Sequence, residues 1–234
     1  MKSFKFLAMA AFLAVVTSAS AQFTNTTSSK SPSSSVGVNT DGWSTIWVEW
    51  NPSTMKYDSK DADDESFTGL SFGYSQAFSL TSSIPLFAEV GLGIQYSFYS
   101  DAYEDDKDDY TEEIKFNMVS AKVPANLMYL FQIPNSSISL IPYVGVNFRY
   151  NILAKEKWTV EGYYEDIEEE YNLFDKDDMG KDAKWNRFQL GWNIGAKARF
   201  GGKFLVSLSY GSDFSEIAKK TKISTTSISL GYTF

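Results

Sequence analysis

From Trp43 to the end of the chain, apolar residues recur at every second position in stretches long enough to be strands. Eight such stretches are predicted, at roughly 43–51, 66–80, 84–100, 112–132, 137–153, 184–201, 203–214 and 222–234. The third is the clearest. Leu86, Ala88, Val90, Leu92, Ile94, Tyr96 and Phe98 share one face, and Glu89, Gly91, Gly93, Gln95 and Ser97 share the other. The sixth repeats the pattern, with Phe188, Leu190, Trp192, Ile194, Ala196, Ala198 and Phe200 set against Gln189, Gly191, Asn193, Gly195, Lys197 and Arg199. The chain ends inside the eighth, with Ile228, Leu230, Tyr232 and Phe234 on one parity.

A soluble β-sandwich also alternates, with its apolar face inward. Two features point the other way. The polar face is mostly Gly, Ser, Asn and Gln, small residues that suit the crowded interior of a narrow barrel. Most stretches also reach the roughly 9–11 residues that a tilted strand needs to cross a bilayer. The connections agree. They are short around Thr81-Ser82-Ser83, Pro134-Asn135-Ser136 and Gly201-Gly202, and long and charged at 52–65, 100–113, 153–184 and 213–222. Those four long loops hold 26 of the 29 Asp and Glu residues; only Asp41, Glu49 and Glu89 lie elsewhere. A hydrocarbon layer explains the exclusion, because a carboxylate there costs several kcal/mol. The expected fold is therefore all-β, an eight-stranded antiparallel up-and-down transmembrane barrel over 42–234. It would place both termini in the periplasm and the acidic loops outside the cell. Closing the ring requires the last strand to pair with Trp43–Asn51.

Composition narrows the chemistry. The 234 residues include no Cys and no His, which removes disulfides, thiolate metal sites and the commonest general base. Aromatics reach 16 %, yet the mean hydropathy is −0.25, too polar for a bundle of membrane helices. At the N-terminus, Lys2 and Lys5, the apolar run Phe6–Val16 and Ala19-Ser20-Ala21 read as a signal peptide over 1–21. The Ser/Thr-rich stretch 22–41 reads as a flexible leader.

At the fourth and fifth strands, AKVPANLMYLF (121–131) followed by LIPYVGVNFRY (140–150) resembles the outer-membrane β-barrel domain family that includes PorT-like proteins. The resemblance covers about 42–234. It implies fold and location and brings no catalytic residue. Pro124 and Pro142 break the rule that proline avoids a sheet without edges, so bulges are expected at both.

Candidate sites fall into three groups. Glu49, Glu89, Lys122, Arg149, Lys197 and Arg199 lie on the inward parity and are expected to form a lumen network; the alternative is a narrow polar channel. Trp158, Tyr163, Tyr164, Tyr171 and Phe174, set among acids, suit an extracellular protein or glycan ligand; the alternative is packing of the loop on its own hairpin. Leu230, Tyr232 and Phe234 form the terminal aromatic signal expected to be read by the outer-membrane insertion machinery, beside outer-membrane lipid. The acidic loops could associate weakly with divalent cations, but DKDDMGKDAKWN (175–186) has Met179 where a calcium loop needs an oxygen ligand and Asn186 where it needs a bidentate Glu. No cofactor, catalysis or nucleic-acid partner is expected. The functions left are a structural or surface-interaction barrel, a narrow porin-like conduit, and an accessory of a secretion or assembly system.

Overall fold

The computed structural model describes residues 41–58, 64–105, 110–161 and 166–234. The expected signal peptide, all but Asp41 of the leader, and Tyr163 and Tyr164 lie outside these residues.

Eleven strands occur: β1 (Trp43–Trp50), β2 (Ser53–Tyr57), β3 (Glu65–Ser79), β4 (Leu86–Asp105), β5 (Tyr110–Tyr129), β6 (Phe131–Gln132), β7 (Ile138–Glu161), β8 (Ile167–Asn172), β9 (Phe188–Phe200), β10 (Phe204–Asp213) and β11 (Thr221–Thr233). They make an antiparallel ring of eight staves. The stave formed by β1 and β2 pairs with β3 on one side and β11 on the other. The closure is the one the terminal pattern predicts: Val48 opposes Leu230, Ile46 opposes Tyr232, and Ser44 and Phe234 exchange both backbone hydrogen bonds at 3.0 Å. With no open edge in the ring, every stave is flanked by two hydrogen-bonded neighbours.

The excess over eight has two causes. Proline accounts for two of the extra strands, because it lacks the N–H that one rung requires. Pro52 separates β1 from β2, although both halves keep one register against β3 and against β11. Near Pro142 the rungs to β5 stop and resume at Phe131↔Leu140, so β6 continues β5. Pro124 behaves likewise: the β4–β5 ladder skips two rungs opposite Gly91 and Leu92 and resumes unchanged. The bulges expected at Pro124 and Pro142 are thus absent. A single missing donor costs less than shifting the register of a stave buried on one face. Gly91 makes the accommodation possible, since a Cβ there would sit 3.0 Å from the Pro124 ring. The irregularity in the β5–β7 pairing lies instead between Val119 and Ser120, where Ile152 is the extra residue.

The third additional strand, β8, belongs to the long loops. Strands continue well into regions expected to be loops: β2, Asp101–Asp105 of β4, the start of β5 and Ala154–Glu161 of β7. Together with β8, which pairs with β7, they raise a partial wall above the ring. A short kinked helix α1 (Lys176–Ala183) follows, started by the Asp175 carboxylate accepting from the Asp177 N–H at 2.9 Å.

The alternation is as predicted. Ile46, Val48, Leu70, Phe72, Leu92, Ile94, Leu208 and Leu230 are exposed outside the ring, while Ser71, Ser75, Gln95, Ser97, Ser207 and Ser229 are buried within it. Each end of the interior is filled by an apolar cluster. At the end carrying the start of β1, Phe234 and the short turns, Trp43, Phe87, Met128, Leu130, Ile141 and Tyr143 pack together. At the loop end, Met55, Phe67, Phe116, Met118, Leu173, Trp185, Ile217 and Ile223 do the same.

Candidate functional site

Between the two apolar clusters lies the charged middle of the lumen. Lys122 pairs with Glu49, Lys197 with Glu89 at 2.5 Å, and Arg149 with Asp213 at 2.6 Å. Each pair spans staves far apart in sequence, so each ties the ring across its bore. Neutral side chains complete the carboxylate shells. Asn51 donates to Glu49 at 2.7 Å and to Ser227 at 2.9 Å, and accepts from Ser71. Asn126 and Ser75 donate to Glu89 at 2.8 and 3.2 Å, and Asn193 donates to Asn126 at 3.0 Å. Aromatic faces cover the cations: Lys122 lies 5.3 Å from the Trp47 ring centre, Lys197 5.1 Å from Tyr143, and Arg199 4.3 Å from Trp43.

The structure therefore brings five of the six predicted lumen charges into pairs. Arg199 is set apart, sealed under Trp43 at the end of the bore, with no carboxylate at ion-pair distance among the described residues. The partner of Arg149 was missed. Asp213 reads as the first residue of an acidic loop, yet it is the last inward residue of β10, on the parity of Leu205, Ser207, Ser209 and Gly211. A cavity of about 90 Å³ remains in the middle. Thr45 Oγ1, Asn147 Oδ1, Asn193 Oδ1 and Arg149 Nε have no protein partner, and all four residues line it. Its size and its unsatisfied polar atoms suit a few water molecules.

The second candidate surface is the wall above the loop end. Its two faces follow the inward and outward parities of the ring. Outward, Lys115 pairs with Glu113 at 2.6 Å, Lys157 with Glu168 at 2.8 Å, and Lys155 with Glu170. Lys56 opposes Lys222 across β2 and β11, also outward and exposed. Inward, the wall carries Glu65 of β3, Asp101 of β4, Glu112 of β5, Glu156 of β7 and Glu169 of β8. No Lys or Arg stands among them in the described residues of these extensions. Burial raises the Glu156 carboxyl above its usual range, and the nearby Glu65 charge adds to the effect. Burial likewise raises the Tyr57 phenol, reinforced by the charges of Glu65, Glu156 and Asp64. Outside, by contrast, the hydrogen bond from Lys115 lowers the Glu113 carboxyl.

The predicted loop aromatics divide. Trp158 stands on the inward face of β7 and donates to Glu112 at 2.8 Å, and Tyr171 on β8 opposes Glu156 and donates to Glu169. Phe174 is instead buried at 7 % exposure in the loop-end cluster, under the Arg187 guanidinium at 4.0 Å. For this residue, packing is the outcome. The sequence alternation places neither Tyr103 nor Ile114 on this surface: Tyr103, 61 % exposed, falls in the stretch 100–113 that reads as acidic loop, and Ile114 falls in the predicted strand 112–132 that reads as membrane-spanning. At the other end, Leu230, Tyr232 and Phe234 are exposed on the outer face of the closing stave. Among the described residues, no three Asp or Glu side chains converge as a metal site would require.

A ring of eight antiparallel staves, apolar outside and charged and filled inside, defines a membrane β-barrel. The chain belongs to the outer membrane protein beta-barrel domain family, whose model matches residues 8–234. Comparison with curated proteins gives no significant match. Among solved structures, the chain is similar to Ail, the attachment invasion locus protein of Yersinia pestis, solved in complex with the heparin analogue sucrose octasulfate. Identity is 16 %, 83 % of this chain and 99 % of that one are covered, and the TM-score is 0.41. It is also similar to Neisserial surface protein A (12 % identity, 82 % and 97 % covered, TM-score 0.38) and to the outer membrane enzyme PagL (12 %, 78 % and 97 %, 0.40).

Proposed function

We propose that this protein is a surface-interaction barrel without catalysis, in which the ring is a filled membrane scaffold and the wall above the loop end meets a macromolecule outside the cell. The observation that carries this reading is the contrast between the two candidate surfaces. The lumen is occupied by three ion pairs between two apolar clusters, which supports a filled bore over a conduit. The wall keeps side chains such as Tyr103 and Glu169 exposed on strands that continue the ring. Function concentrates on such scaffolded surfaces. The same reading places the termini in the periplasm and the acidic wall outside. The family membership and the short turns on the terminus side support that orientation.

Pull-down from cells in which the barrel is displayed tests the proposal. The intact protein is compared with a variant whose β7–β8 hairpin above Leu153 is replaced by a short turn. A partner recovered by the first and lost by the second supports it; equal recovery contradicts it. The PorT-like resemblance at 121–131 and 140–150 supplies the alternative reading, an accessory of a secretion or assembly system. Recovery of periplasmic machinery through the untrimmed side of the barrel would identify that role.

A further inference from the structure

The geometry points to a cationic, amphipathic peptide segment as the ligand of the wall's inward face. The inference rests on the proposed surface function and adds the class of partner.

The first observation is the sorting of charge by face. In the strand extensions, Lys56, Lys115, Lys155, Lys157 and Lys222 stand outward, and three of them are neutralised there by Glu113, Glu168 and Glu170. The inward face holds carboxylates only, from five different strands, as described above. Adjacent strands put Glu112 beside Val160 and Trp158 beside Glu169, so the acids alternate with apolar groups and do not form one cluster. The curved wall focuses this field over the mouth of the ring, which draws cationic partners and repels acidic ones.

The second observation is apolar and independent of charge. Tyr103 is 61 % exposed, Ile167 38 % and Ile114 36 %, all on that same inward face and above the ring. They cannot serve the apolar plug, which ends at Phe116, Met118 and Ala154 one turn of the pleat lower. Exposed aromatic and branched residues interleaved with carboxylates match a ligand that brings both Lys or Arg and apolar side chains, as extended or helical cationic segments do. A polyanionic glycan would meet like charge across the whole face. Burial is the main cause of the raised Glu156 carboxyl, and the Glu65 charge beside it adds negative potential that a bound cation would relieve.

Full-length barrel in nanodiscs is titrated with three synthetic peptides of equal length: Lys/Leu, Lys/Ser and Glu/Leu. Intrinsic fluorescence is read in the parent and in Trp158→Phe. Two triple variants are compared, Glu112→Gln/Glu156→Gln/Glu169→Gln on the inward face and Glu113→Gln/Glu168→Gln/Glu170→Gln on the outward face. They remove the same formal charge. The expected result is saturable binding of Lys/Leu, at least tenfold weaker binding of Lys/Ser, and none of Glu/Leu. The inward triple should weaken Lys/Leu at least tenfold and the outward triple less than twofold, with the fluorescence change lost in Trp158→Phe. Equal weakening by both triples would show attraction to net charge alone and overturn the inference, as would equal binding of Lys/Leu and Lys/Ser. If hairpin trimming abolishes partner recovery but no cationic peptide binds, the ligand class is wrong while the surface function stands. If trimming changes nothing and Lys/Leu binds the inward face, the proposed function fails instead.

Discussion

At the scale of the residue, two arrangements inside the ring are sensitive to single atoms. The first is the Glu89–Lys197 pair. Removing one partner of a buried pair leaves an uncompensated charge at about 3–5 kcal/mol, whereas replacing both with apolar groups of similar volume is often neutral. Glu89→Ala should therefore lower the temperature of the folded-to-unfolded gel shift far more than Glu89→Leu/Lys197→Met; a double variant as weak as the single would contradict the paired reading. The second is the seat of Trp47 on Gly73 and Gly93, which face each other across β3 and β4. A Cβ at Gly93 would fall 2.5 Å from the indole and 2.9 Å from the Phe72 carbonyl oxygen. Gly93→Ala should cost about 1–3 kcal/mol by overpacking, measured by urea titration in detergent. Above the ring, the sign for Glu156 runs oppositely to that of an ordinary paired carboxylate. Its raised pKa means the folded state binds the proton more readily than the unfolded chain, so its contribution to stability falls as pH rises through the carboxyl range. Glu156→Gln should thus melt higher than the parent above neutral pH and match it in acid.

At the scale of the element, what was legible was whatever the hydrocarbon layer dictates. Apolar alternation marks Leu86–Phe98 and Phe188–Phe200 because one face must meet lipid and the other a narrow bore. Above that layer the constraint ends while the strand does not. Asp101–Asp105 and Trp158–Glu161 stay hydrogen-bonded into the sheet although acids and lysines erase the alternation, so they read as loop. Asp213 was lost for the same reason: an acid at a strand end looks like a loop residue until its partner Arg149 is seen. The prolines misled differently. Composition forbids them in a sheet interior, but a strand held on two sides gives up one rung and keeps its register. The closing element carries its own prediction. Deleting Phe234 removes an outward aromatic and its two backbone bonds to Ser44. Outer-membrane levels at equal synthesis should drop well below those of a variant trimmed in the β7–β8 hairpin, because shortening a loop changes closure entropy only slowly. Parent-like levels after the deletion would remove the terminal strand's role in insertion.

At the scale of the whole molecule, the two apolar clusters and the three ion pairs fill the bore around its small central cavity, and in the proposed function the wall is the place where the protein meets its surroundings. This division of labour depends on the lumen being closed. Conductance across a planar bilayer containing the purified barrel measures that closure directly. The account predicts no unitary current steps from the parent protein at any applied voltage the bilayer withstands. Steps of fixed size that scale with salt concentration, and that change when Lys122 or Lys197 is replaced, would contradict it and make the lumen the functional site.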